Sequence, residues 1–420
     1  MNSHQEAVIT GVGVVSPIGI GRDVFWRSLV EGQSGVRPLS EIKAPEMPVW
    51  IGGEVRDFDP KDRINRKSLK VMSRDIQMAV VAAALAADDA KLSAGAADPE
   101  RMGVTFSSDL IQAPPVEMEQ AYRRCMADGP FDFSKWASAA QSEIYPLWFL
   151  KHLPNMPACH IAILHDLRGP NNTITVGETS CLAALAEGVR YIQRGSADVV
   201  FCGGVGSNVR TTPFCRSFLS QVSLRNHDPT AACRPFDADR DGQVNGEGAA
   251  VFVVESRASA QARGANILCS VLGYGCAQDT RWTSPPRTGQ VIERSIRVAL
   301  KDAGRQPADV GHVNANGVAT ISDDAMEATA IAAVLNDVPV TAPKSFFGNL
   351  GSGSGAVELA ASVLGLAHKS VPFTLNYERP DPACPVNVVR SRPMTGAKPL
   401  AVVLNQSRTG QAAALVIEGS

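Results

Sequence analysis

Charge of either sign is nearly absent as a net quantity. Forty basic and 42 acidic side chains leave −2 over 420 residues. No global field therefore draws the chain to nucleic acid or to an anionic membrane. Long apolar runs are missing too; stretches such as Met78–Ala87 are too short to span a bilayer. Met1–Ala7 is polar and lacks the basic and apolar regions of a signal peptide. The nine cysteines form no CxxC and no regular framework. Reduced thiols and a cytoplasmic protein are expected, with each cysteine a small buried apolar group.

What is present is ordinary globular composition, 45% hydrophobic and 20% charged, in a length that suits two domains or one duplicated unit. Strand-like and helical runs alternate. Val8–Val15, Arg101–Phe106, Thr173–Val176 and Val199–Gly203 read as strands; Asp23–Val30, Met72–Ala87 and Leu182–Gln193 read as helices. Leu182, Leu185, Val189 and Ile192 share one helical face. The second half repeats the order. Strands are expected at Leu268–Gly273, Val310–Ala315 and Val338–Ala342, and helices at Val291–Ala303, Asp324–Leu335 and Ala356–His368. Leu400–Leu404 and Ala413–Ile417 close the chain as strands. Such alternation predicts an α/β fold of sheets covered by helices. Thr173–Ala184 and Val340–Ala361 each read strand, turn, small-residue helix, which predicts a duplication with halves 1–255 and 256–420. Gly103–Pro170 breaks the pattern and reads as inserted helices and loops.

Three turns hold the candidate chemistry. In TVGETSCL, Thr175–Leu182, a strand ends and a helix begins at about Thr179, which lifts Glu178 onto a tight elbow. N–H groups at a helix start make an oxyanion hole, and enzymes place Ser or Cys there. This sequence places Glu. VNANGVAT at Val313–Thr320 and PKSFFGNLGSGSG at Pro343–Gly355 offer Asn316 and Asn349.

Here the chain resembles the β-ketoacyl synthases, the thiolase-fold condensing enzymes. AVITGVGVVSPIG at Ala7–Gly19, SADVVFCGGV at Ser196–Val205 and RPFDADRDGQVNGEGA at Arg234–Ala249 carry the likeness. It continues through VNANGVATISDD at Val313–Asp324, the Pro343–Gly355 turn and TLNYERPDP at Thr374–Pro382. The resemblance implies a thiolase-like, duplicated α-β-α-β-α layered fold and no cofactor or metal. In the family a Cys thiolate accepts the acyl chain from an acyl carrier protein, and two His promote decarboxylation of the malonyl thioester. Those three positions match Glu178, Asn316 and Asn349. The Thr-x-Thr pair after the first His reads Val318 and Thr320, and the glycine-rich loop reads SRTGQA from Ser407 and Arg408 onward, one residue short. Lys344, Glu358, Asp324 and Glu327 match the surrounding family residues.

The loss of all three reactive groups resembles a chain-length factor, the partner that shapes the tunnel of an active ketosynthase. The usual replacement for the Cys is Gln, and Glu departs from it. The implied partners are a ketosynthase subunit in a heterodimer, or a second copy, and an acyl carrier protein. The alternatives are an altered enzyme acting on acyl or malonyl thioesters through Glu178, or a divergent 3-oxoacyl-[acyl carrier protein] synthase. A carboxylate is a poor acyl acceptor, and Asn takes no proton near neutral pH. The Glu178 carboxylate can instead fill the elbow's own oxyanion hole.

Other signals read as structure. Cys181 is almost one turn past the elbow and faces the packing. His312 reads as a satisfied structural histidine. Asp237–Gly248 imitates a calcium loop but has Gly at its twelfth position. His152, His160 and His165 do not share a helix face. Gly11, Gly13 and Gly19 miss the dinucleotide spacing. The basic clusters Arg63–Lys70 and Arg123–Arg124 read equally as solvated surface or as a face for an acidic carrier.

Overall fold

The structure, a computed structural model, describes residues 6–40, 42, 47–92, 95, 97–279 and 288–420. Apolar, β-branched runs form one large sheet. Its first strands are β1 (Ala7–Ser16), β2 (Met102–Ser107), β3 (Asn171–Ile174), β4 (Val199–Ser207) and β5 (Glu247–Ser256). The later ones are β6 (Cys269–Gln278), β7 (His312–Asn314), β8 (Pro339–Thr341), β9 (Asn387–Val388), β10 (Leu400–Gln406) and β11 (Gln411–Gly419).

Strand order shows the duplication directly. From the centre outward, one side runs β1-β5-β4-β2-β3 and the other β6-β11-β10-β7-β8, with β9 beyond. On each side the first two of these pairings are antiparallel and the next two parallel. The two sides join where Ala7–Ile9 of β1 pairs with Cys269–Val271 of β6.

The helices that cover the sheet are α1 (Arg74–Asp89), α2 (Ser180–Gln193), α3 (Gln290–Ala303), α4 (Ile321–Leu335) and α5 (Ser354–Ala367). α2 and α5 form the central layer, packed against residues from both sides of the sheet, among them Val200, Phe252, Val403 and Leu415. α5 is buried along Ser354–Gly365, as an all-apolar helix must be. α1 covers the first half from outside, and α3 and α4 cover the second. This is the thiolase-like five-layer arrangement that the resemblance implied.

Several boundaries moved. The strand expected at Arg101–Phe106 is β2, displaced by one residue to Met102–Ser107, with Val104 and Phe106 in the core. The stretch after β2 carries short helices at Glu119–Cys125, Trp136–Glu143 and Met156–His165. β3 ends at Ile174 rather than Val176. α4 begins at Ile321, a turn early, because the Thr320 side chain accepts the Asp323 N–H and caps it.

His312 is a correction. It is 1% exposed, yet neither ring nitrogen has a hydrogen-bond partner among the described residues. Burial pushes its pKa down to about 4. The period-2 pattern that placed it in a strand carries no information on what a ring meets across the layer. His165, by contrast, stacks on Phe201 at 4.8 Å between centroids, and His152 meets a Glu117 oxygen at 3.0 Å. Asp237, at the start of the calcium-like loop, accepts the Asp239, Glu378 and Arg379 N–H groups. None of the helices among the described residues is long and apolar enough to cross a membrane.

Candidate functional site

The site sits where the strand-to-helix turns of the two halves face each other. Gly177 takes φ +70°, a region open to glycine, and lets the chain reverse out of β3. A 3₁₀ turn at Gly177–Thr179 then leads into α2. The Val176 N–H donates to Ser180 Oγ at 2.7 Å, and Thr179 Oγ1 donates to the Val176 carbonyl at 3.1 Å, pinning the elbow. Burial raises the pKa of the Glu178 carboxyl. Its own backbone N–H, the Lys344 ammonium and the Asn349 amide pull it back, while Asp109 adds to the rise.

Asn316 lies in the turn between β7 and α4. Two buried carboxylates hold that turn. Glu327 accepts the Asn316 and Gly317 N–H groups at 2.7 and 2.8 Å. Asp324 accepts from Val318 and Ala319 at 3.0 and 3.1 Å, and from Phe236 at 2.8 Å. Ala319 sits at φ +64°, a strain of about 1–2 kcal/mol that these bonds offset. Burial drives both carboxyls up, Asp324 to about 7 and Glu327 to about 8.

The side chain of Asn316 is occupied. Lys344 Nζ donates to its carbonyl oxygen and to its Oδ1, both at 2.9 Å. Lys344 also pairs with Glu358, whose other oxygen accepts from Asn405 Nδ2 at 2.7 Å. Both ionic groups are essentially solvent-free. Asn349 is as fully engaged. Its N–H donates to the Val244 carbonyl at 2.7 Å, and its Nδ2 to Gln243 Oε1 at 2.9 Å. Its Oδ1 accepts from the Gly351 N–H and Ser354 Oγ at 3.0 and 3.1 Å. Behind it, β4 lies so close that a Cβ on Gly206 would come within 2.0 Å of the Leu350 carbonyl oxygen.

Glu178, Asn316, Asn349, Val318, Thr320, Ser407 and Arg408 converge on one pocket of about 30 Å³, room for roughly one or two waters. Lys344 and Glu358 lie buried behind it. The Ser407 turn closes on itself, Ser407 N–H to the Gln411 carbonyl at 2.9 Å and Ser407 Oγ to Thr409 Oγ1 at 2.7 Å. Cys181 is buried with its thiol pKa driven up, so it is no nucleophile. Sequence reasoning missed Gln243, which lines this pocket and bonds Asn349. It lies inside the Arg234–Ala249 motif, and nothing in its residue type marks it. It also missed a larger cavity that shares Glu178, Gln243, Asn349 and Arg408 with this pocket and is lined by Asp75, Asp109, Arg210 and Arg216 among others. No group of histidine, cysteine and carboxylate side chains among the described residues is arranged to hold a metal ion.

Comparison with known proteins bears on this geometry. Residues 4–260 match the β-ketoacyl synthase N-terminal domain and residues 268–378 the β-ketoacyl synthase C-terminal domain. The chain is 34% identical to 3-oxoacyl-[acyl-carrier-protein] synthase 2 of Synechocystis sp. over 92% of its own length and 91% of that protein's. It is 33% identical to the Coxiella burnetii protein of the same name, at 92% and 91% coverage. Among solved structures it superposes on a type II polyketide ketosynthase assembly with its acyl-carrier protein, AntDE:AntF, bound to the hexaketide. That match has a TM-score of 0.86 at 26% identity and covers 99% of each chain. It also superposes on the ishigamide ketosynthase/chain length factor, with a TM-score of 0.84 at 28% identity and 99% coverage of each chain. Fold, strand order and matched sequence agree: the chain belongs to the β-ketoacyl synthase family.

Proposed function

We propose that this protein is a non-condensing family member that pairs with an active ketosynthase, in the manner of a chain-length factor, in fatty acid, polyketide or polyene biosynthesis. The observation that carries the reading is the engagement of Asn316 and Asn349 around a pocket of about 30 Å³. In this reading Glu178 stands at the family's Cys, and Asn316 and Asn349 at its two His. Condensation needs a thiolate and two imidazoles, and a carboxyl and two amides supply neither. Burial raises the Glu178 carboxyl and its own N–H opposes the rise, a contact that supports the idea that it fills the elbow's oxyanion hole. Val318, Thr320, Ser407 and Arg408 then flank the route of the carrier protein's thioester arm. The division into halves 1–255 and 256–420 belongs to the same reading.

The inserted segment supports a protein partner. Val116, Phe133, Phe149 and Ile163 are 69%, 76%, 61% and 76% exposed, large apolar side chains that a protein partner would cover. The test is co-expression with a ketosynthase that keeps its Cys and two His. A stable one-to-one complex that elongates only when both chains are present is the expected result. A second copy of this chain in place of the ketosynthase is the other assembly the experiment resolves, and it counts against the reading.

One observation favours an altered enzyme as the second reading. Burial raises the Glu178 carboxyl, bringing it closer to a pKa suited to a general base. Failure to co-purify, together with malonyl-carrier decarboxylation that disappears in Glu178→Gln, establishes this reading over the first.

A further inference from the structure

The larger cavity, which shares Glu178 and Arg408 with the narrow pocket, has a volume of about 380 Å³, within the range of small-molecule sites. Its wall is charged. Asp75, Asp109, Arg210, Arg216 and Arg408 join Glu178 there, and the amides of Gln243 and Asn349 lie beside them. Arg210 is 4.0 Å from the buried carboxylate of Glu247. Glu247 is otherwise held by Arg74 Nη2 at 2.7 Å and Ser207 Oγ at 3.0 Å. Arg216 and Arg408 have no carboxylate at ion-pair distance among the described residues, and Asp75 and Asp109 have no cation at that distance.

A plain alkyl chain is a poor occupant of such a space. It would strip water from several ionic and amide groups and return no hydrogen bond to any of them. A ligand with its own charge and oxygens replaces that water group for group. We infer that this cavity binds a small oxygenated carboxylate, its anionic end held by Arg216 and Arg408 and its hydroxyl or carbonyl oxygens facing Asp75, Asp109 and Gln243. Guanidinium forks match carboxylate geometry. Burial and the charge of Glu247 bring the Asp75 carboxyl up to about 6, so near neutral pH it meets a hydroxyl as acceptor and, in its protonated fraction, a carbonyl as donor. The ligand class follows from the wall of the cavity and does not depend on the partner reading.

Isothermal titration of the full chain with mevalonate and with hexanoate tests it. Both probes have six carbons and one carboxylate, and only mevalonate carries hydroxyl groups. The expected result is mevalonate binding at least tenfold tighter than hexanoate and weakening as salt is raised. The double variant Arg216→Gln/Arg408→Gln, at two exposed positions, should lose tenfold or more of that affinity while keeping its urea midpoint. Equal or tighter binding of hexanoate overturns the proposal. So does no binding of either probe, or mevalonate affinity unchanged in the double variant. None of these outcomes alters the co-purification result, so the two readings fail separately.

Discussion

Lys344 grips Asn316 twice, through the backbone carbonyl and through Oδ1, each at 2.9 Å. The same ammonium pairs with Glu358 in a solvent-free setting. Lys344 therefore fixes the amide that stands in one of the three central turns. It also balances a carboxyl that burial pushes upward, with Lys344 and Asn405 opposing the rise.

Removing only the cation should be costly. Lys344→Met leaves Glu358 buried without its partner, and a loss of about 3–5 kcal/mol is expected. The pair Lys344→Met/Glu358→Gln should recover much of it, because no unpaired charge remains. Urea denaturation of the three proteins measures both. Additive losses in the double variant would show that the two groups do not act as a pair.

Glu178→Cys alone should not elongate an acyl chain. Asn316 and Asn349 still offer no imidazole, and the pocket among the three positions holds about 30 Å³. A carrier-protein elongation assay reads this. Robust product from the single variant would show that Asn316 and Asn349 can stand in for the two imidazoles.

His312 should make the protein acid-sensitive. Its folded pKa is depressed from 6.5 to about 4 by burial. The native state then binds fewer protons than the unfolded chain between those values. The sign is that stability is fully present above pH 6.5 and falls as pH drops toward 4, by on the order of 3 kcal/mol. His312→Leu should flatten that part of the stability-against-pH curve. An unchanged slope would mean that the ring finds a partner when protonated.

Gly206→Ala should destabilise the fold by more than a surface change does, because its Cβ would meet the Leu350 carbonyl oxygen at 2.0 Å. Backbone on both sides leaves nothing flexible to yield. A loss of about 2 kcal/mol or more is expected by thermal or urea unfolding. A tolerated alanine would show that β4 and the Leu350 turn are more loosely packed than this.

Much of the fold is legible in local pattern. The apolar faces of Leu182, Leu185, Val189 and Ile192, and the β-branched runs around Val8, Val199 and Val402, are set by periodicities of 3.6 and 2 that survive in any context. Boundaries were less legible. The strand expected at Arg101–Phe106 runs Met102–Ser107, because the ends of a short strand are set by its ladder partners. Thr320 capped α4 a turn earlier than its apolar pattern began. His312 could be placed in a strand but not judged for partners, since those come from another layer.

The site divides the same way. Sequence alone determined that Glu, Asn and Asn stand in the three motif turns, because residue identity at a motif position needs no coordinates. Tertiary structure decided what those residues touch. Residues 178, 316, 349 and 407 share one pocket only because α2 and α5 pack against each other between the two sides of the sheet. That packing also placed Gln243 on Asn349 and Lys344 on Asn316, and left a charged cavity beside Glu178. Contacts between residues tens to hundreds of positions apart arise from burying apolar faces over the whole chain, and no local pattern encodes them.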